Sequence, residues 1–100
     1  MSDLPDMNAL VAIAREIVAA QAPEARVRLG KIPEHPSARI EWDTDSAIST
    51  FLFWAAGNSY SEVMDVEDDP TALRKVHESF ADAAEFRARV GGHLAFVAAA

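Results

Sequence analysis

The chain contains no cysteine, which excludes a disulfide framework and a thiolate metal site. It has only four glycines, little backbone with which to cradle a phosphate. No GxSxG elbow, GxxxxGK(S/T) loop or GxGxxG fingerprint occurs. Apolar runs such as Phe51 to Ala56 fall far short of the roughly 20 residues needed to span a bilayer. No basic segment leading into an apolar one opens the sequence, so no secretory signal is expected. Clustered cations are missing too: 16 acidic residues face 9 basic ones, a net charge of −7 at pH 7. Binding to DNA, RNA or anionic lipid draws its strength from clustered Lys and Arg, so nucleic acid and membrane are disfavoured partners. A basic protein would be attracted by the same field.

What is present is a half-apolar chain of 100 residues, enough for one core and too apolar for disorder. A single domain over residues 1–100 is expected. The acidic excess sits in its middle, where residues 47–80 hold six acids against Arg74 and Lys75. Met7, Leu10, Val11, Ala14, Ile17 and Val18 recur at helical spacing and predict a helix over about 6–21, with Asp6 at its start and Pro23 beyond its end. The period then changes to two. Strands are predicted over about 25–29, 38–43, 48–55, 60–67 and 72–78, separated by segments rich in Gly, Pro, Asn, Asp and Ser. The third is apolar on both faces late on (Phe51, Leu52, Phe53, Trp54), as in a strand covered on both sides or pressed against a partner.

Residues 80–98 predict a last helix with Phe86, Val90, Leu94 and Val97 as its stripe. Ser79 with Asp82 three residues on suggests a capping box. Gly91 and Gly92 inside it suggest a kink, a close crossing or an earlier end. Short connections require antiparallel neighbours. The expected fold is therefore α+β: an antiparallel meander of four or five strands flanked by an N-terminal and a C-terminal helix, both burying their stripes on one sheet face.

Candidate chemistry is sparse. His35, His77 and His93 form no ligand pair. His35 is expected in solvent, His93 at the surface or a helix end, and His77 on the opposite strand face from Glu78. Asp65, Glu67 and Asp69 match the first three oxygens of an EF-hand loop, but Pro70 replaces the required glycine and Val76 the glutamate. No catalytic residue, cofactor or metal is therefore expected. Two features do stand out. Glu41, Asp43 and Asp45 alternate along one strand face and its turn, and Glu62, Asp65, Glu67, Asp68 and Asp69 form an acidic run. Trp42, Phe51, Phe53, Trp54 and Tyr60 crowd into 19 residues of sheet. Exposed Trp and Tyr are typical interface anchors.

The stretch Ala38-Arg39-Ile40-Glu41-Trp42-Asp43-Thr44-Asp45-Ser46-Ala47-Ile48, followed by Phe53-Trp54-Ala55-Ala56-Gly57 and Glu62-Val63-Met64-Asp65-Val66, resembles the TriTu-type immunity proteins of bacterial polymorphic toxin systems. The likeness runs over about residues 36–80 and includes the His-containing segment Val76-His77-Glu78. It implies a non-enzymatic intracellular protein that binds and neutralises a cognate toxin. On that reading Glu41, Asp43, Asp45, Glu62, Asp65 and Asp68 would steer a basic toxin, and Trp54 and Tyr60 would anchor it. The alternative is a small acidic secretion chaperone or adaptor acting as a dimer; monomer and homodimer both remain open.

Overall fold

The computed structural model describes residues 3–31, 34–66 and 72–100. It opens with helix α1 (Met7–Gln21), capped by the Asp6 carboxylate, which accepts from the Ala9 backbone N–H at 2.8 Å. Strands β1 (Arg26–Leu29), β2 (Ser37–Asp43), β3 (Ala47–Trp54), β4 (Asn58–Asp65) and β5 (Ala72–Ser79) follow, and helix α2 (Ala83–Ala99) comes last. The strands form one antiparallel sheet in the order β1-β2-β3-β4-β5. This is the α+β meander that the short connections predict.

Both helices pack on the same sheet face, α1 against β1 and β2 and α2 against β3, and they also touch each other. Beneath them lies the core: Leu10, Ala14, Ile17 and Val18 of α1, Ile40 of β2, Phe51 and Phe53 of β3, and Phe86, Val90 and Leu94 of α2. Phe86 is its hub, with ring centroids 4.9 Å from both Phe53 and Phe80. A smaller cluster of Ala47, Val63 and Val97 extends it toward the β2–β3 turn.

Strand β4 turns its bulkier side outward. Ser59, Ser61 and Val63 are buried against the helices, while Tyr60, Glu62 and Met64 point to the other face. Nothing in the described residues covers that other face, so β3 is apolar on its outer side without a second layer above it.

Three expectations about α2 need correction. Its N-cap is Asp82, whose carboxylate accepts from the Glu85 N–H at 2.8 Å, while Glu85 accepts from Ala81 N–H. Ser79 instead ends β5, and Phe80 and Ala81 stand between it and the Asp82 cap. The helix runs unbroken through Gly91 and Gly92, and a Cβ at either would meet no closer atom than Gln21 Nε2 at 3.7 Å. Finally, His93 is 1 % exposed, not a surface residue. It stands three residues after Val90 and so falls on the apolar stripe that the helical period defines.

The β3–β4 connection does require its glycine. Gly57 has φ +97°, and a Cβ there would lie 2.8 Å from the Phe80 carbonyl oxygen. That carbonyl approach accompanies a hydrogen bond from Phe80 N–H to Gly57 O at 2.9 Å, which ties the turn to the lead-in of α2.

Candidate partner-binding face

Antiparallel pairing aligns the outward side chains into rows that cross the sheet. The first row is Asp43, Ile48 and Met64, on β2, β3 and β4. The second runs Arg26, Glu41, Thr50, Glu62, Lys75 from β1 to β5. The third runs Arg28, Arg39, Leu52, Tyr60, His77. The fourth is Ser37, Trp54, Asn58, Ser79. Leu52, Trp54, Tyr60 and Met64 are half-buried, and Ile48 is 49 % exposed. Large apolar and aromatic groups thus occupy the middle of an uncovered face, with Glu62 between Tyr60 and Met64 and the other charges toward its margins. An apolar patch with a polar rim is the usual anatomy of a protein-binding surface.

The charged groups are held in place by one another. Glu41 accepts one hydrogen bond on each carboxylate oxygen, from Arg28 Nε at 3.1 Å and from Arg39 Nε. Burial pushes the Glu41 carboxyl up, but the Arg39 hydrogen bond and the charges of Arg28 and Arg39 outweigh it and hold the group below its usual range. Two arginines directly opposite each other on adjacent strands repel; the shared carboxylate is what makes the pair tolerable. Tyr60 donates its hydroxyl to Glu62 at 2.6 Å. That hydrogen bond, with burial, raises the phenol above its usual value. The Tyr60 ring also lies against His77, centroids 4.5 Å apart.

One end of the sheet is acidic. The β2–β3 turn is closed by Thr44, whose hydroxyl oxygen accepts from Ser46 N–H and Ala47 N–H at 3.3 and 3.0 Å. It holds Asp43 and Asp45 exposed on either side. Val66 N–H donates to Ser46 O at 3.1 Å, and Asp65 pairs with Ala47, so both stand beside that turn. Val66 is 48 % exposed. At the opposite end, Trp54 walls a cleft of about 290 Å³ with Glu34, His35, Pro36, Ala56 and Asn58.

The acidic and aromatic residues singled out in the sequence therefore fall into two groups. Glu41, Glu62, Trp54 and Tyr60 share the open face. Asp43, Asp45 and Asp65 gather at the β2–β3 end, with Asp43 belonging to both. Asp68 lies outside the described residues. Glu41 and Asp43 are not simply two of three repelling carboxylates, because the protein's own arginines neutralise Glu41. Sequence reasoning passed over Arg26, Arg28 and Arg39 as site residues. Their alternation with Val27, Leu29, Ala38 and Ile40 gives their face, but only the register gives their company.

Under α2 lies a second polar group, buried this time. Ser61 Oγ, Arg74 Nε and both ring nitrogens of His93 are buried without a hydrogen-bond partner. The His93 ring rests on Phe51, centroids 5.4 Å apart, and the Arg74 guanidinium lies 5.3 Å from the Phe96 centroid. Burial, and then the nearby Arg74 charge, lower the His93 pKa from 6.5 to about 4. A neutral imidazole packed on a phenyl ring serves here as a flat core residue.

Among the described residues no group of three His, Asp or Glu stands close enough to hold a metal ion, and no helix is long and apolar enough to cross a membrane. No curated protein and no solved structure matches the chain. The family described as Immunity protein TriTu does match it, over residues 12–95. That span takes in most of α1, all five strands and most of α2, and the chain belongs to the TriTu immunity protein family.

Proposed function

We propose that this chain neutralises a basic bacterial toxin by binding it and covering its working surface, without doing chemistry itself. Immunity proteins as a family act against toxins. The observation that carries the reading further is the uncovered sheet face, where Ile48, Leu52, Trp54, Tyr60 and Met64 stay at the surface although a helix layer buries the other face. Asp43, Asp45 and Asp65 at its β2–β3 end supply the attraction for a cationic partner, and Trp54 and Tyr60 supply the anchors. Long-range attraction acts on the rate of encounter, whereas desolvated aromatic contacts act on the rate of escape. The cytoplasm is the proposed compartment.

The test begins by purifying the tagged chain from its native host and identifying the toxin that accompanies it. With that toxin in hand, reversing the charge of Asp43 and Asp45 is expected to slow association about tenfold at low salt, an effect that shrinks as salt rises. Truncating Trp54 or Tyr60 to alanine is expected to speed dissociation instead. An unchanged association rate at low salt rejects the acidic end as the steering surface.

A further inference from the structure

The open face is electrically two-ended although the chain as a whole is strongly acidic. Taken row by row, its first row carries one negative charge (Asp43) and its second balances Arg26 and Lys75 against Glu41 and Glu62. The third carries two positive charges, Arg28 and Arg39, offset in part by the Glu41 carboxylate that both of them bond, with His77 at its far end. Beyond the first row comes Asp45, and Glu24 shares an open notch with Arg26, Glu41 and Asp43 on the same side. Negative charge therefore concentrates toward the β2–β3 turn and positive charge on the Arg28–Arg39 row. Both arginine side chains are about half exposed, at 49 % and 52 %. Each commits its Nε–H to Glu41, which leaves four of the five guanidinium N–H donors of each without a partner among the described residues. Leu52 and Tyr60 continue the row directly, and Trp54 stands in the next one.

We infer that the Arg28–Arg39 pair is an acceptor site for carboxylates of the toxin, so that the partner presents an acidic patch here as well as a basic patch to Asp43 and Asp45. This rests on the toxin-binding reading and extends it. Glu41 fixes the two planar forks side by side before the partner arrives, which lowers the cost of ordering them on binding. An aspartate or glutamate seated there gains two charge-assisted hydrogen bonds next to the apolar Leu52 and Tyr60. A nucleic acid is a poorer match. It needs a continuous cationic track, and the adjoining row is balanced and the next one acidic. A partner with one charge sign only would meet repulsion at one end of the face, so the two ends also fix its orientation.

The site can be read without the toxin. Isotope-labelled chain is titrated at low ionic strength with hexaglutamate, hexalysine and hexathymidylate, and the amide shifts are mapped. Hexaglutamate is expected to move the amides of Arg28, Arg39, Leu52 and Tyr60, and hexalysine those of Asp43, Asp45 and Ile48. In the double variant R28Q/R39Q the hexaglutamate affinity should fall about tenfold while the hexalysine site keeps its affinity. No hexaglutamate response on that row, a response that survives the double variant, or a stronger response to hexathymidylate there each overturns the inference. None of these outcomes touches the toxin-binding reading, which stands or falls on the co-purified toxin.

Discussion

The two faces of the sheet hold residues of similar size under opposite conditions. On the covered face, Phe51 and Phe53 are 1 % and 0 % exposed; both pack on the Phe86 ring and Phe51 also on His93. On the open face, Leu52 and Trp54 alternate with them along the same strand and remain half in water. Strand β4 sharpens the contrast, since it buries two serines and exposes a tyrosine and a methionine. Stability alone would favour the reverse arrangement, at roughly 25 cal/mol for each Å² of apolar area. The covered face holds the fold together; the open face keeps apolar area available for something else.

The strongest way to break this comparison is to truncate one residue from each face. Phe86→Ala is expected to cost about 3–5 kcal/mol, because a fully buried hub leaves a cavity. For a domain whose whole margin is about 5–15 kcal/mol that approaches unfolding. Leu52→Ala on the open face should cost under about 1 kcal/mol. Urea titration of both variants decides it: a comparable midpoint shift would mean that the open face is part of the core after all.

Next in size is the response to acid. His93 titrates at about 4 when folded against 6.5 for an ordinary imidazole, so between those values the unfolded chain binds the extra proton. Stability from this source is whole above about pH 6.5, declines as the pH falls, and is lost by about pH 4. The gap amounts to on the order of 3 kcal/mol. His93→Leu should flatten the fall in stability between pH 6.5 and 5, where few carboxylates titrate. A slope identical to that of the unmodified protein would show that His93 reaches water when folded.

The smallest effect has the opposite sign. Gly92→Ala places a methyl where no atom stands within 4 Å and should stabilise the protein by up to about 1 kcal/mol. A loss of stability in thermal melts would mean that α2 does not run straight through this point.

Much of the fold could be read from periodicity. The apolar stripe of α1, the alternation of β2 and the short polar turns fix the helix, the strands and their antiparallel sense. What periodicity could not supply was the choice of face. Tyr60, Met64 and Val66 look like a core set next to Ser61, Val63 and Asp65, and only the placement of both helices reverses that impression. The site was legible to the same degree. Each candidate's parity was visible, so Glu41 and Tyr60 could be put on strand faces. Which charges meet across strands depends on register, and register is why Glu41 belongs to Arg28 and Arg39 before it belongs to any partner. His93 was misjudged because its chemistry outweighed its spacing. At the helical period it was always on the buried stripe.

The order of the sheet also bears on how the chain reaches this state. Every strand pairs with its neighbour in sequence, so β1 to β5 can join hairpin by hairpin with little loop to close. The helices are different: α1 is the first element and α2 the last, yet they share one core, and Arg87 reaches Glu16 at 3.1 Å across 71 positions. During synthesis, at roughly 5–20 residues per second, the stripe of α1 therefore spends several seconds without its main partner. The sheet can form early, but the protein closes only when its final helix arrives.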